Sequence, residues 1–251
     1  MPRVTSPPMS LAPKITLQGI HQVFSGRSII KDLDLVIAPT EFLVILGPSG
    51  CGKSTLLRLI AGLISPTAGS IDITPSEGDI GFVFQDASLL PWRTALENVL
   101  LPLELQGLAR AEAEREALQL LDDVGLAAVS NHYPDALSGG MKMRVSIARA
   151  LAGNPALLLL DEPFAALDEG TRARLDQHLA TLTRKRAITT LFVTHSIHEA
   201  LELADRIIVL SPADGKILHD ERLDRKELDA EAMKALSARL SARLEAEDKA
   251  R

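Results

Sequence analysis

Cysteine, aromatic residues and long apolar runs are all scarce in this sequence. The chain of 251 residues has one cysteine, Cys51, which excludes an internal disulfide framework and a cysteine-based zinc cluster. No apolar run approaches about 20 residues, the length that spans a bilayer, so any membrane role must come from a partner. Aromatic residues make up only 3%, and Trp92 is the single tryptophan.

Excess positive charge is missing as well. There are 27 lysines and arginines against 33 aspartates and glutamates, which gives a formal net charge of −6. Because contacts with nucleic-acid phosphates need clustered cations, we expect no nucleic-acid partner. The residues that are present, 46% hydrophobic and 24% charged, are ordinary for a globular protein with a sizeable core. The low cysteine content favours a cytoplasmic location.

Short apolar runs alternate with helical patterns along the chain. The runs at Phe42–Leu46 and 157–160 are continuous, as in strands that are buried on both faces, and Thr189–Thr194 is expected to form a further strand. Their alternation with helices predicts an α/β fold with a mostly parallel central sheet. Two earlier runs predict a small antiparallel β region near the N-terminus. The strands expected near 70–74 and 79–84 suggest a hairpin.

The chain divides into three predicted parts. Residues 1–13 hold four prolines and lack the apolar stretch of a secretory signal, so we expect a flexible tail. Residues 14–227 form the main domain, with a helical subdomain inserted at about 91–150, where helical spacing dominates. Residues 228–251 predict a charged C-terminal helix with one apolar side. That side either packs on the same domain or contacts a second copy or a regulator.

Residues 47–54 (GPSGCGKS) match the phosphate-binding pattern G-x-x-x-x-G-K-[ST] and are called the phosphate loop below. The loop lies between a buried strand and a helix, where converging N–H groups and the helix N-terminus attract phosphate oxygens. We expect Lys53 to reach the β- and γ-phosphates of a nucleotide, and the hydroxyl of Ser54 to bind Mg²⁺. The expected nucleotide-binding residues of this region are Gly47, Pro48, Ser49, Gly50, Cys51, Gly52, Lys53, Ser54 and Thr55.

Two adjacent acids follow the buried run at 157–160. Asp161 and Glu162 come at the carboxyl end of the predicted strand, the edge of an α/β sheet where ligands bind. Adjacent strand residues point in opposite directions, so the two carboxylates are expected to have different roles. We assign Asp161 to Mg²⁺, through a bound water, and Glu162 to the general base that polarises the attacking water.

A second helix start suited to an anion lies at residues 137–140 (LSGG). Ser138 is a good N-cap, and Gly139 and Gly140 leave the helix N-terminus open to close approach. One nucleotide can contact both this site and the phosphate loop if two copies pair head to tail in a twofold dimer.

These motifs, in this order, resemble the ATP-binding subunit of an ABC transporter. The matching segments are the phosphate loop, Gln85, residues 137–141, 157–162 and 166–168, and His195. The resemblance covers roughly residues 15–212. It implies a P-loop ATPase fold for the main domain, with an N-terminal antiparallel β region and an inserted helical subdomain, and a homodimer that binds ATP and Mg²⁺.

The resemblance also implies roles for single residues. Phe24 resembles the aromatic residue that stacks on adenine, although a core position is the alternative. Gln85 resembles the glutamine that contacts Mg²⁺ and the attacking water. His195 resembles the histidine that contacts the γ-phosphate and steadies Glu162.

The remaining implied roles concern the dimer. Ser138, Gly139 and Gly140 would cap the γ-phosphate held by the opposite subunit, and Asp168 would cross the interface beside the partner's phosphate loop. Two positions depart from the family pattern. Met141 replaces a common glutamine, which puts a side-chain role there in doubt, and Thr40 replaces a usual turn glycine, which suggests a different turn.

Residues 86–94 (DASLLPWRT) resemble the same region in importers of the nitrate, sulfonate and taurine group. This likeness implies import of a small solute through separate membrane permease subunits, with a solute-binding protein acting indirectly and the ATPase lying on the inner face of the cell membrane. Trp92 would either line a groove for a short permease helix or pack internally. The alternative function is a soluble non-transport ATPase acting on DNA or ribosomes.

Overall fold

A six-stranded mixed sheet forms the centre of the computed structural model, which describes residues 12–74, 79–165, 169–224 and 229–249. The strands are β1 (Lys14–Phe24), β2 (Arg27–Ile37), β3 (Phe42–Leu46), β4 (Ala68–Thr74), β5 (Ile80–Val83), β6 (Leu157–Asp161), β7 (Thr189–Thr194), β8 (Arg206–Leu210) and β9 (Ile217–Arg222). In the central sheet they lie in the order β5-β6-β7-β3-β8-β9, and β9 runs antiparallel to β8 while the other neighbours are parallel. The predicted α/β fold with a mostly parallel sheet is confirmed.

Helices and a second sheet cover the two faces of the central sheet. The helices are α1 (Lys53–Ile60), α2 (Ala95–Leu105), α3 (Arg110–Asp123), α4 (Gly139–Ala152), α5 (Glu169–Lys185), α6 (Ile197–Leu203) and α7 (Ala230–Lys249). Alternate residues of β3 enter two different cores. Leu43 and Ile45 pack with α1 and the second sheet, whereas Val44 and Leu46 pack with the other helices. Every residue of β3 is consequently buried, as its continuous apolar run predicted.

The second sheet is antiparallel, with the order β2-β1-β4. This confirms the small antiparallel region that the sequence predicted. The expected hairpin, however, is wrong, because β4 pairs with β1 while β5 pairs in parallel with β6 in the central sheet. Ile71 and Ile73 pack on the core of the second sheet, and Val83 is fully buried in the other core. Partner choice thus follows the core that each strand covers rather than proximity along the chain.

Helices α2, α3 and α4 pack against one another beside the central sheet. Thr94 begins α2 in a capping box, in which its hydroxyl accepts from Glu97 N–H and Glu97 accepts from Thr94 N–H. These helices lie within 95–152, close to the predicted helical insert, whose exact bounds stay a prediction. Among the described residues, none of the helices combines the length and the apolarity of a membrane span.

Thr189, at the start of β7, ties two distant segments to the sheet. Its hydroxyl donates to the carbonyl oxygen of Pro13 at 3.1 Å and accepts from the N–H of Thr40 at 3.0 Å. Pro13 is buried, so the last residue of the predicted tail is anchored, while residues 1–11 lie outside the described part. Thr40 has a φ of 62°, the left-handed conformation that favours glycine, so the turn itself is one that glycine suits.

The C-terminal helix α7 packs on its own domain. Leu236 and Leu240 are buried, and Met233 and Leu244 lie against the same core. Arg243 also donates to the carbonyl oxygen of Leu218 in β9 at 2.6 Å. The first of the two alternatives for the apolar side is therefore the one that the structure supports, and residue 228 lies outside the described part.

Gly81 in β5 provides a test of the contact between the central sheet and α4. A Cβ atom at this position would lie 2.7 Å from the carbonyl oxygen of Ala150 and 2.9 Å from Leu158 Cδ1. We expect Gly81→Ala to lower the free energy of unfolding by about 1–3 kcal/mol, because backbone must move to relieve the overlap. Urea denaturation measures this loss as a lower midpoint. Gly153→Ala is the control, since its nearest neighbours lie at 3.6 Å, and an equal loss in both variants would contradict the steric explanation.

Candidate active site

The phosphate loop follows β3 directly and leads into α1. Gly52 is the N-cap of α1 and has a φ of 101°, a conformation that L-residues rarely adopt. A Cβ atom at Gly52 would also lie 3.2 Å from side-chain atoms of Ile29 and Ile30. Glycine at this position therefore satisfies both the backbone geometry and the close approach of β2. The result is a tight turn of backbone at the positive end of a helix, with Ser49 and Gly50 exposed.

Lys53 points its ammonium group into the phosphate loop. Its Nζ donates to the carbonyl oxygens of Gly47 at 2.8 Å and Pro48 at 3.0 Å. It also lies 3.9 Å from Glu162 Oε1. The Lys53 side chain is only 5% exposed, so its charge is held in place by the loop rather than by water. A cation fixed in this way is ready to meet an anion that enters the loop.

A hydrogen bond joins Ser54 in α1 to Asp161 at the end of β6. The Ser54 hydroxyl donates to Asp161 Oδ1 at 2.9 Å. Burial raises the pKa of Asp161, while the hydrogen bond from Ser54 acts in the opposite direction. The carboxylate and the hydroxyl together present hard oxygen atoms, the type of donor that Mg²⁺ binds in proteins.

Glu162 leaves the end of β6 in an unusual backbone conformation. Its φ is 48°, in the left-handed region, and its N–H donates to the carbonyl oxygen of Val193 in β7 at 3.0 Å. Its Oε2 lies 3.4 Å from His195 Nδ1. The carboxylate of Glu162 therefore faces a cation on one side and an imidazole on the other, unlike Asp161. Strain of this kind is common at functional sites, where neighbouring contacts hold the residue in place.

A cleft of about 420 Å³ joins Phe24 and much of the phosphate loop. Its lining residues are Phe24, Ile29, Ser49, Gly50, Gly52, Lys53, Ser54, Thr55, Gln85 and Glu162. Phe24 is 45% exposed, which excludes the core alternative. Gln85 follows β5 at the same edge of the sheet, and its side chain is exposed. Sequence reasoning missed Ile29, because nothing distinguishes it from the other apolar residues of β2.

The predicted second anion site lies at the start of α4. Ser138 caps this helix, since its hydroxyl accepts from Met141 N–H at 3.3 Å. Ser138 and Gly139 are exposed, and no neighbouring atom lies within 4 Å of a Cβ placed at Gly139. This helix end does not line the cleft described above. Asp168, the remaining predicted interface residue, lies outside the described residues.

Comparison with known proteins identifies the family. A family model described as "ABC transporter" matches residues 30–165, more than half of the chain. The chain belongs to the ABC transporter family. The resemblance to this family, which the order of the motifs suggested, is therefore confirmed.

Several relatives and solved structures resemble this ABC protein closely. It is 44% identical over 214 residues to the taurine import ATP-binding protein TauB of Yersinia pestis, covering 83% of each chain. It is 44% identical over 212 residues to the aliphatic sulfonates import ATP-binding protein SsuB of Albidiferax ferrireducens, covering 82% of this chain and 73% of the relative. The ATP-binding cassette MJ0796, solved as a dimer in a post-hydrolysis state bound to ADP and Pi, superposes with a TM-score of 0.76 at 37% identity, covering 84% of this chain and 99% of that one. The ABC protein described here is thus a nucleotide-binding ATPase.

Asn98 holds the loop formed by residues 86–94, a role that sequence reasoning missed. This side chain is completely buried. Its Oδ1 accepts from Leu90 N–H at 2.8 Å, and its Nδ2 donates to the carbonyl oxygens of Leu90, Arg93 and Thr94. A polar residue within the apolar run of α2 was the available signal. Because four hydrogen bonds converge on one buried amide, the 86–94 loop has a defined shape.

Arg149 of α4 supports the same loop from the other side. Its guanidinium donates to the carbonyl oxygens of Ser88 at 3.0 Å and Ala87 at 3.2 Å. Trp92 projects from the loop and is 70% exposed, which excludes the alternative that it packs internally. The backbone of the 86–94 loop of this ABC protein is therefore held by hydrogen bonds, and the loop carries an exposed aromatic side chain.

Buried acids lie behind the active site, between α5 and α6. Asp176 is 1% exposed and its Oδ1 has no hydrogen-bond partner among the described residues. Burial, together with the nearby carboxylates of Glu199 and Glu202, raises the pKa of Asp176 from 3.8 to about 7, while Arg172 acts in the opposite direction. The folded protein therefore holds a proton on Asp176 over a range of pH in which an unfolded chain releases it.

Asp176→Asn tests this assignment through the pH dependence of stability. Between about pH 4 and pH 7 the unfolded wild type releases the proton that the folded wild type keeps, so its stability falls as the pH rises through this window. Asparagine cannot ionise, so the variant avoids this loss. We expect Asp176→Asn to raise the Tm, and to raise it more at about pH 8 than at about pH 5. The exposed Asp122→Asn is the control, and a Tm gain of equal size at both pH values for Asp176→Asn would contradict the assignment.

Proposed function

We propose that the chain is the ATP-hydrolysing subunit of an importer, and that hydrolysis powers passage of a small solute through separate membrane permease subunits. The observation that carries the hydrolytic mechanism is the arrangement of three side chains beside the cleft. Lys53 Nζ lies 3.9 Å from Glu162 Oε1, and Glu162 Oε2 lies 3.4 Å from His195 Nδ1. The candidate base therefore has the phosphate-binding cation near one carboxylate oxygen and the imidazole near the other. The names of the relatives support the import function.

ATP binds in the cleft, with its triphosphate along the phosphate loop and its adenine against the exposed ring of Phe24. Backbone N–H groups and the N-terminus of α1 contact the phosphate oxygens, and Lys53 neutralises part of their charge. The proposed contacts in the bound subunit are Phe24, Gly47, Pro48, Ser49, Gly50, Cys51, Gly52, Lys53, Ser54 and Thr55. Cys51 contributes its backbone, since its side chain is buried.

The donor set beside α1 fits Mg²⁺. Ser54 Oγ and Asp161 Oδ1 are 2.9 Å apart, and Gln85 offers an amide oxygen from the same edge of the sheet. Bound Mg²⁺ would neutralise charge on the phosphate oxygens. Ser54 would hold the ion directly, Asp161 would act through a bound water and Gln85 would contact the ion, in keeping with the few protein ligands that Mg²⁺ takes.

Glu162 acts as the general base. Its carboxylate orients a water molecule towards the γ-phosphate and accepts a proton as the water attacks. His195 holds this carboxylate through the contact at Oε2 and faces the γ-phosphate. Lys53 stabilises negative charge that accumulates on the phosphate oxygens.

Two copies complete each site. The exposed start of α4 is separate from the cleft of its own chain, which supports a role at the cleft of a second copy. Ser138, Gly139 and Gly140 cap the γ-phosphate bound by the opposite subunit, and Asp168 crosses the interface. Each γ-phosphate then joins two subunits, so hydrolysis removes a link and the homodimer opens. The solved dimer of the ATP-binding cassette MJ0796 supports this assembly.

Glu162→Gln tests the assignment of the base. The amide keeps the size of the side chain but cannot accept the proton, so we expect ATP binding to persist while kcat falls at least about 100-fold. Size-exclusion chromatography with MgATP is expected to detect an accumulated dimer. Glu112→Gln, which replaces an exposed carboxylate of α3, is the charge-matched control. Hydrolysis by Glu162→Gln at a near-normal rate would exclude Glu162 as the base.

The 86–94 loop docks the permease. Trp92 is an exposed apolar anchor on a loop whose backbone is held by Asn98 and Arg149, an arrangement suited to a short helix of a partner. A groove of about 410 Å³ lies next to the loop. Arg149 both lines this groove and donates hydrogen bonds to the loop backbone. Leu105, which is 80% exposed, lines the same groove. The ATPase is accordingly peripheral, on the cytoplasmic side of the cell membrane.

The solute belongs to the group that the relatives handle. One relative is named for taurine import and another for aliphatic sulfonates import. Taurine, an alkanesulfonate, nitrate or a related small molecule is therefore the proposed cargo, which a solute-binding protein delivers to the permease.

Trp92→Ala tests docking separately from hydrolysis. We expect the variant to retain ATP affinity and ATPase activity as an isolated chain, because Trp92 does not line the cleft. Its recovery with membranes from cells that co-express the permease should fall about tenfold, as expected for loss of an interface anchor. Leu63→Ala, which removes another exposed apolar side chain, is the control. Unchanged membrane recovery, or stable binding to ribosomes or DNA instead, would contradict docking through this loop.

A further inference from the structure

His195 depends on its backbone for its position. Its imidazole is 63% exposed, and it lies in the short connection between Thr194, the last residue of β7, and Ser196, the N-cap of α6. The distance of 3.4 Å between His195 Nδ1 and Glu162 Oε2 is therefore determined by how firmly this connection is held. An exposed side chain on a loose turn would not keep such a distance.

Glu199 contacts the residues on both sides of His195. The hydroxyl of Thr194 donates to Glu199 Oε2, and Ser196 N–H donates to the same hydroxyl at 3.0 Å. The N–H of Glu199 in turn donates to Ser196 Oγ at 3.3 Å. Three hydrogen bonds thus join Thr194, Ser196 and Glu199, and they fix the residues on both sides of His195.

This arrangement differs from ordinary helix capping in the same chain. At the start of α2, the carboxylate of Glu97 accepts directly from the N–H of the N-cap residue, Thr94, at 2.8 Å. Glu199 occupies the equivalent third position of α6, but its carboxylate reaches past the N-cap to Thr194 in the strand. Capping alone does not require a contact with a residue that precedes the helix. The contact joins the end of β7 to α6 across His195.

The side chain of Glu199 that makes this contact is buried. It is 4% exposed, and its second oxygen, Oε1, lies 3.6 Å from Arg172 Nε in the first turn of α5. A buried carboxylate is costly unless it is paired, and the guanidinium of Arg172 and the hydroxyl of Thr194 supply partners for both oxygens of Glu199. Asp176 and Glu202 also face this group from α5 and α6.

We propose that Glu199, acting through the hydroxyl of Thr194, is a positioning residue that holds His195 against Glu162 during ATP hydrolysis. The inference rests on the function proposed for Glu162 and His195. Neither Glu199 nor Thr194 lines the cleft, so their effect on turnover passes through His195. Loss of the contact should leave the nucleotide in place and misplace the imidazole.

Thr194→Val is the first test, because it removes the hydroxyl and keeps the shape of the side chain. Steady-state ATP hydrolysis by the full chain is expected to show kcat lowered about tenfold, with the KM for MgATP changed less than about twofold. Thr194→Ser restores the hydroxyl and is expected to recover most of the lost turnover. Glu202→Gln, one turn along α6, is the control, since it removes a neighbouring carboxylate that does not contact Thr194.

A second background separates positioning from general destabilisation. In His195→Ala, which has no imidazole to place, adding Thr194→Val should change kcat less than about twofold. Should Thr194→Val fail to fold, Glu199→Gln carries the same test, since it keeps the volume while weakening the contact with Thr194.

The outcomes distinguish this inference from the function on which it rests. Equal losses from Thr194→Val in the wild-type and His195→Ala backgrounds would overturn the positioning role and leave the assignment of His195 intact. Wild-type turnover in Thr194→Val would overturn it as well. Full turnover in His195→Ala itself would instead remove His195 from the mechanism, and the positioning role with it.

Discussion

The parallel pairing of β3, β6 and β7 is the constraint on which the active site depends. Leu46, the last residue of β3, pairs with Thr194, and Asp161 pairs with Val193. Because the three strands end in register, the phosphate loop, the two acids and His195 emerge at one edge of the sheet. These strands are buried on both faces, so a slip in register would move apolar side chains out of two cores at once. Packing of the core thereby determines the positions of polar groups that contribute little to it.

Polar contacts then refine what the strands bring together. Glu162 takes a left-handed backbone conformation that costs free energy, and the hydrogen bond from its N–H to Val193 helps to hold it there. Lys53 is buried beside it, so the ion pair acts where water screens charge weakly. Behind His195, the contact between Glu199 and Thr194 belongs to the same rigid edge. The chemistry is thus placed by the sheet and adjusted by single hydrogen bonds.

Helix α4 connects the two regions that lie away from the cleft. Its N-terminus carries Ser138, and Arg149 near its other end holds the backbone of the 86–94 loop. Its 14 residues span about 21 Å as one rigid rod. A displacement of the helix at the proposed dimer interface would therefore reach the loop that carries Trp92. This gives a physical route between the proposed dimer interface and the loop proposed to dock the permease.

The sequence by itself determined the buried strands, the phosphate loop, the adjacent acids and the capped start of α4, since each depends on local pattern and backbone conformation. Only the tertiary structure decided that β4 and β5 join different sheets, that Phe24 and Trp92 are exposed, and that Asn98 and Glu199 hydrogen-bond to the 86–94 loop and to Thr194. The sequence does not distinguish an aromatic or polar side chain that faces solvent from one that faces the interior. Their surroundings come from residues far along the chain, which meet only when the cores of the two sheets have formed.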